Sequence, residues 1–208
     1  MSYSKGFRFK ECQLGVFKND ADVVVEQLQE SDRVMGLTDG SFSLIDLIHS
    51  ILKNYGRSNI ILSTWSAGIK DVNQVKWMVN SELIHDFKII TDHSYKTRQK
   101  KYACEIERIF GLENIRTAES HSKFTLIQCE SGEKITIRTS MNLNANKTCE
   151  NFEIDVCEDV YGFYKEWADI HFDGLPDGFT NESFKVGKIS DEYFNNETKT
   201  AKKWWSNE

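Results

Sequence analysis

Apolar positions along the chain follow two periods. In SFSLIDLIHSILKNYG, Phe42, Ile45, Ile48, Leu52 and Tyr55 recur at helical spacing. Ser41 or Asp39 can cap the start of that helix, and Gly56 suits its stop. A second helix opens at Asp71 and runs over 71–83, with Val72, Val75, Met78 and Val79 as its apolar stripe. A third is TRQKKYACEIERIFG, stopped by Gly111, and VYGFYKEWADIHFDG begins as a helix. Between them lie short apolar runs that read as strands: SNIILSTWS, FKIIT at 87–91, NIRT at 114–117, KFTLIQC at 123–129, KITIRTS at 134–140 and FEIDVCE at 152–158. An unbroken run such as Ile60–Leu62 predicts a strand covered on both faces. Residues 6–17 read as one or two strands, VVVEQL at 23–28 fits a strand or a helix, and GLTDG at 36–40 reads as a loop.

Helices alternating with short buried strands predict an α/β fold, a mixed β-sheet flanked by helices. One domain over 1–176 is expected, followed by a C-terminal extension, 177–208, that is polar and aromatic. Its Trp204 and Trp205 suit a hydrophobic anchor. The single proline, Pro176, rules out Pro-rich linkers. With 26 Lys and Arg against 32 Asp and Glu, the net charge of −6 excludes a globally basic nucleic-acid coat but leaves room for a local basic patch. No apolar run approaches membrane-spanning length, and the charged N-terminus does not read as a signal peptide, so a cytoplasmic protein is expected. The five cysteines, Cys12, Cys104, Cys129, Cys149 and Cys157, form no CxxC pair; reduced thiols without a structural zinc are expected.

Candidate chemistry concentrates in 121–153, HSKFTLIQCESGEKITIRTSMNLNANKTCENFE. Along a strand, residues i and i+2 share a face. His121 with Lys123, Ser140 with Asn142, and Asn151 with Glu153 therefore form three polar pairs at strand ends. An imidazole can attack phosphorus and form a phosphohistidine. A lysine and an asparagine beside it can donate to the non-bridging oxygens, and a carboxylate can orient the ring. The scheme needs no metal and no cofactor.

His121-x-Lys123, Ser140-x-Asn142 and Asn151-x-Glu153 resemble the signature of the phospholipase D superfamily, which is HxK followed after four residues by Asp, then GS or GT with x-N, then NxE. The single copy resembles small one-motif nucleases of that superfamily, which dimerise so that one histidine is the nucleophile and its twofold mate protonates the leaving group. The resemblance implies a phospholipase D-like fold, a homodimer and a nuclease. In it His121 is the nucleophile, Lys123 and Asn142 hold the phosphate, Ser140 assists and Glu153 orients or hydrogen-bonds within the site. Two positions depart from the signature: Gln128 stands for the aspartate and Thr139 for the glycine. The tyrosyl-DNA phosphodiesterase branch dispenses with that aspartate. The departures leave a second reading open, a catalytically degenerate module that binds nucleic acid or protein without turnover.

The densest basic stretch runs from His93 to Tyr102 and opens a helix after a strand, where ligands sit in open α/β sheets. Lys96, Arg98 and Lys100 are candidate phosphate contacts, Tyr95 a candidate base-stacking ring, and Trp65 a candidate wall of the site. The expected partner is nucleic acid, DNA ahead of RNA, and no membrane. Phospholipid hydrolysis ranks lower, because no amphipathic helix with a basic face is evident.

Overall fold

The computed structural model describes residues 11–18, 20–145 and 147–179 of the chain. Its strands are β1 (Cys12–Phe17), β2 (Arg33–Thr38), β3 (Ser58–Thr64), β4 (Ile84–Asp92), β5 (Ile115–Ala118), β6 (Phe124–Cys129), β7 (Lys134–Thr139) and β8 (Asn151–Val156). The helices are α1 (Ala21–Glu30), α2 (Leu44–Tyr55), α3 (Ile69–Asn80), α4 (Tyr95–Arg98), α5 (Lys100–Phe110) and α6 (Glu158–Gly174).

Local chemistry sets the helix ends. The Asp20 carboxylate accepts from the Asp22 and Val23 amides at 2.9 and 3.3 Å, so VVVEQL resolves as the middle of α1. A capping box of Ser43 and Asp46 starts α2, two residues later than the Ser41 expected from sequence, and Gly56 at φ 83° ends it. The third predicted helix is two: it breaks at Gln99, whose φ of −132° and ψ of 47° are not helical.

All eight strands form one mixed sheet in the order β1-β2-β8-β7-β6-β3-β4-β5. β1 pairs parallel with β2, and β3, β4 and β5 run parallel; the remaining pairings are antiparallel. Consequently the C-termini of β2, β3, β4, β5 and β7 and the N-termini of β6 and β8 share one rim.

One face carries the main core. There Ile60 and Leu62 of β3, Ile127 of β6 and Ile137 of β7 meet Val24, Leu47, Ile51, Val75 and Ile106 from α1, α2, α3 and α5. Among the described residues the helix on the other face is α6, whose Tyr161 and Ala168, with Tyr164 and Trp167, pack on Ile61, Ile90, Phe124 and Leu126. This strand-by-strand alternation, buried on both faces, bears out the expected layered fold.

The GLTDG expectation is corrected: Gly36, Leu37 and Thr38 close β2. Gly36 is a strand residue because the Phe17 ring lies against it. A Cβ there would stand 2.5 Å from that ring. The chain stays packed to Phe179, beyond the expected boundary at 176: Arg116 pairs with Asp177 at 2.7 Å, and the Phe179 ring lies 5.5 Å from Tyr95. The rest of the expected extension, including Trp204 and Trp205, lies outside the described residues. Among the described residues, no helix is long and apolar enough to cross a membrane. All five cysteines are free thiols.

Candidate active site

The shared rim gathers most of the predicted site. β5 ends at Ala118, and a short loop brings His121 to the head of β6. The Lys123 ammonium lies 3.1 Å from His121 Nδ1 and donates to the His121 carbonyl at 3.2 Å. An ammonium only donates, so in this pairing Nδ1 is the acceptor. Burial pulls the Lys123 amine below the ordinary lysine range, and the charge of Glu150 pulls the other way.

Asn142 reaches the same rim from the segment after β7. Its carboxamide oxygen accepts from the Ser66 amide at 3.2 Å and from the Thr64 hydroxyl at 3.4 Å, at the end of β3. That pairing turns its NH2 donors away from β3. The adjacent backbone is fixed as well: Leu143 and Gly68 bond to Ser66 and Leu143 carbonyls at 3.1 and 2.7 Å, and the Ala145 amide donates to Asp71 at 3.1 Å. Asp71 is buried, and desolvation pushes its carboxyl above the usual range.

Trp65 stands between these groups. Its ring centroid lies 5.3 Å from that of His121, and Arg98 lies over the ring with the guanidinium carbon 3.8 Å from the ring centroid. Arg98 also donates to the Trp65 carbonyl at 3.0 Å and to Ser94 Oγ at 2.9 Å. His121, Lys123, Trp65 and Arg98 thus form one continuous cluster.

Beside it, on the face bearing α6, opens a cavity of about 400 Å³ lined by Lys123, Arg138, Ser140, Asn151, Glu153 and Tyr164. Its size suits a small ligand group. The Ser140 hydroxyl is taken by the Glu150 carboxylate and receives the Asn151 amide at 3.0 Å. Thr139, which stands for the signature glycine, donates to the Asn151 carbonyl at 2.7 Å and so ties β7 to β8. Gln128, which stands for the signature aspartate, is exposed and pairs with Asn59 and Lys134 at the opposite end of β6. Its identity therefore leaves the rim unchanged.

Glu153 lines the cavity, and its carboxylate pairs with Arg138 at 2.8 Å and Arg33 at 3.2 Å rather than with His121. Two expectations need correction. Tyr95 is fully buried, and its hydroxyl donates to the Ala67 carbonyl at 2.8 Å, so the ring has no face to offer a base. The Lys96 amine is held by Glu107 at 3.3 Å and by the Phe179 carbonyl at 3.1 Å, tying α4 to α5 and to the end of the described chain. Lys100 is exposed at the first residue of α5.

The sequence reading missed a charged network. Asp155, fully buried, is gripped by Arg33 and Arg138, and Glu153 joins the same two guanidiniums. These side chains come from β2, β7 and β8, and the register Arg33↔Asp155 and Thr136↔Asp155 brings them together. Glu150 and Asp71 were also missed. Both lie outside the three motif pairs, and no local spacing marks them.

Neither a protein-family model nor a curated protein matches the sequence. Among solved structures, NucT from Helicobacter pylori aligns over 70% of this chain and 99% of its own, with a TM-score of 0.50 at 14% identity. A polyphosphate kinase from Porphyromonas gingivalis aligns over 74% of this chain and 27% of its own, with a TM-score of 0.51 at 13% identity. A phospholipase D family member, Nuc from Salmonella typhimurium, aligns over 71% of this chain and 98% of its own, with a TM-score of 0.49 at 13% identity. At such identities the likeness concerns the fold. The fold shared with these structures is a mixed eight-stranded sheet flanked by helices.

Proposed function

We propose that the protein is a metal-independent phosphodiesterase acting on nucleic acid, a nuclease that works through a phosphohistidine on His121. The observation that carries this reading is the 3.1 Å pairing of Lys123 with His121 at the mouth of a cavity, on the rim of a phospholipase D-like sheet. In the free site Lys123 holds the His121 lone pair. An incoming phosphate competes for the ammonium, draws it away and leaves the imidazole free to attack. The Asn142 NH2 and the Lys123 ammonium then stabilise the charge gathering on the non-bridging oxygens. Arg98 and the Trp65 ring supply a cation and an aromatic face beside the nucleophile, which suits a phosphate flanked by an unstacked base.

The leaving oxygen needs a proton, and a His121 that has attacked cannot give it. A second imidazole is required. The sequence resemblance implies that of a second copy in a homodimer.

Cleavage of a DNA oligonucleotide in EDTA tests the reading. The full chain cuts it, and His121→Ala does not. Cleavage that requires added magnesium and survives His121→Ala overturns it. One observation favours the alternative of a binding module without turnover. The Glu150 carboxylate occupies the Ser140 hydroxyl, placing a negative charge where a phosphate would bind. Oligonucleotide binding without any cleavage supports that alternative.

A further inference from the structure

A carboxylate that the proposed mechanism leaves unused is fixed at the edge of the cavity. Of the acids around that cavity, Glu153 pairs with Arg138 and Arg33 at 2.8 and 3.2 Å, so two guanidiniums meet its charge. The Glu150 carboxylate instead receives the hydroxyl of Ser140, a lining residue, and at 3.4 Å that of Thr148. A hydroxyl donor orients a carboxylate without cancelling its charge.

Several contacts keep Glu150 in place. Its carbonyl accepts the Thr38 amide at 2.8 Å, which ties it to the end of β2. Gly40, at φ 87°, lets the chain at Lys147 pass so close that a Cβ would stand 2.3 Å from the Lys147 carbonyl oxygen. The Asn151 amide donates to Ser140 Oγ at 3.0 Å, and the Ser140 amide donates to the Asn151 carbonyl at 3.1 Å. Ser140 is thus held with its hydroxyl hydrogen on Glu150, and that hydrogen is withheld from a ligand in the cavity. The charge of Glu150 also reaches Lys123, whose ammonium it favours. A phosphate drawn to Lys123 therefore meets the field of Glu150 as well.

We propose that Glu150 is a specificity-determining residue, which admits singly charged phosphodiesters to the cavity and rejects doubly charged phosphomonoesters. The proposal rests on the phosphodiesterase reading above, in that the cavity is taken as the phosphate site. A phosphodiester carries one negative charge. A phosphomonoester carries nearly two above its second pKa of about 6. Glu150 repels the added charge, and no Ser140 hydrogen is offered in return. Hydrolysis of a diester by water makes an alcohol and such a monoester, so the same repulsion drives this product out. Terminal phosphates of a nucleic acid are turned away for the same reason.

Two ligands that differ by one charge test the proposal: thymidine monophosphate and its methyl ester. Each is titrated into the full chain at about pH 8, where the first is doubly charged. Binding is followed by calorimetry, apart from any cleavage. In the wild-type chain the methyl ester binds the more tightly. Glu150→Gln keeps the size of the side chain and removes its charge. Both ligands gain affinity in that variant, and the monophosphate gains more, by about 5- to 100-fold, as Coulomb's law gives for one added unit charge a few ångströms from another near a protein surface. Glu150→Ala, which also frees the Ser140 hydroxyl, shifts the ratio the same way. A ratio that both variants leave unchanged, or binding of neither ligand, overturns the proposal. Cleavage of the DNA oligonucleotide in EDTA is measured on the same preparations. A wild-type chain that shows the charge preference and cuts no DNA overturns turnover at His121 and leaves the charge selection standing. A chain that cuts DNA and shows no charge preference does the reverse.

Discussion

The Arg98 guanidinium carbon lies 3.8 Å from the ring centroid of Trp65, and that ring stands 5.3 Å from the imidazole of His121. In the proposed nuclease this pair would supply a cation and an aromatic edge beside the phosphate. Loss of one phosphate-binding cation weakens binding to all sequences alike and lowers the salt slope by about one. Arg98→Ala is therefore expected to weaken binding of a single-stranded oligonucleotide and flatten its salt dependence, measured by fluorescence anisotropy at several salt concentrations. An unchanged slope contradicts the contact.

Asp155 is the buried centre of the network joining β2, β7 and β8. Removing one partner of a buried ion pair leaves the other charges uncompensated, at a cost of about 3–5 kcal/mol. Asp155→Ala is expected to lower stability by that order in urea unfolding. Glu153→Gln, whose side chain is 20% exposed, costs less because water shares its charge. Equal effects of the two substitutions contradict this ranking.

Asp71 accepts the amide of Ala145 and so holds the segment that carries Asn142. Asp71→Ala leaves that amide unpaired in a part-buried position, costing about 1–3 kcal/mol. The expected outcome is a lower urea midpoint together with slower turnover, because Asn142 is less well placed. A variant with full stability and full activity contradicts the role.

His171 is 1% exposed, and burial holds its pKa below the usual value of about 6.5. Between the depressed folded value and 6.5 the unfolded chain binds the extra proton, so stability rises with pH across that window. The contribution is complete above the unfolded value and is lost as the pH falls below it. Urea midpoints should therefore drop on acidification below about pH 6.5, and His171→Leu should flatten the drop. A wild-type midpoint that is flat across this range contradicts the shift.

How much of this was legible from the chain depends on the range of each interaction. α2 was readable because Ile45, Ile48 and Leu52 repeat within one helix, β3 because its run Ile60–Leu62 is continuous, and β7 and β8 because their apolar residues alternate with polar ones. The pairs His121–Lys123 and Ser140–Asn142 were readable from their spacing of two. β2 was not, because its Gly36 is demanded by the Phe17 ring on a neighbouring strand. The Arg33–Asp155 contact joins positions 122 apart, and no local pattern announces such a pair. Tyr95 misled for the same reason: within a basic stretch it reads as exposed, yet the backbone break at Gln99 turns the single turn of α4 against Ala67.

The most direct test of the account is a covalent trap. The full chain is incubated with phosphorothioate-free radiolabelled DNA, quenched in base and digested, and the labelled peptide is sequenced. Label that is stable in base, labile in acid, and located on His121 is the predicted result. Label on another residue, or active cleavage that never leaves label on the protein, contradicts it.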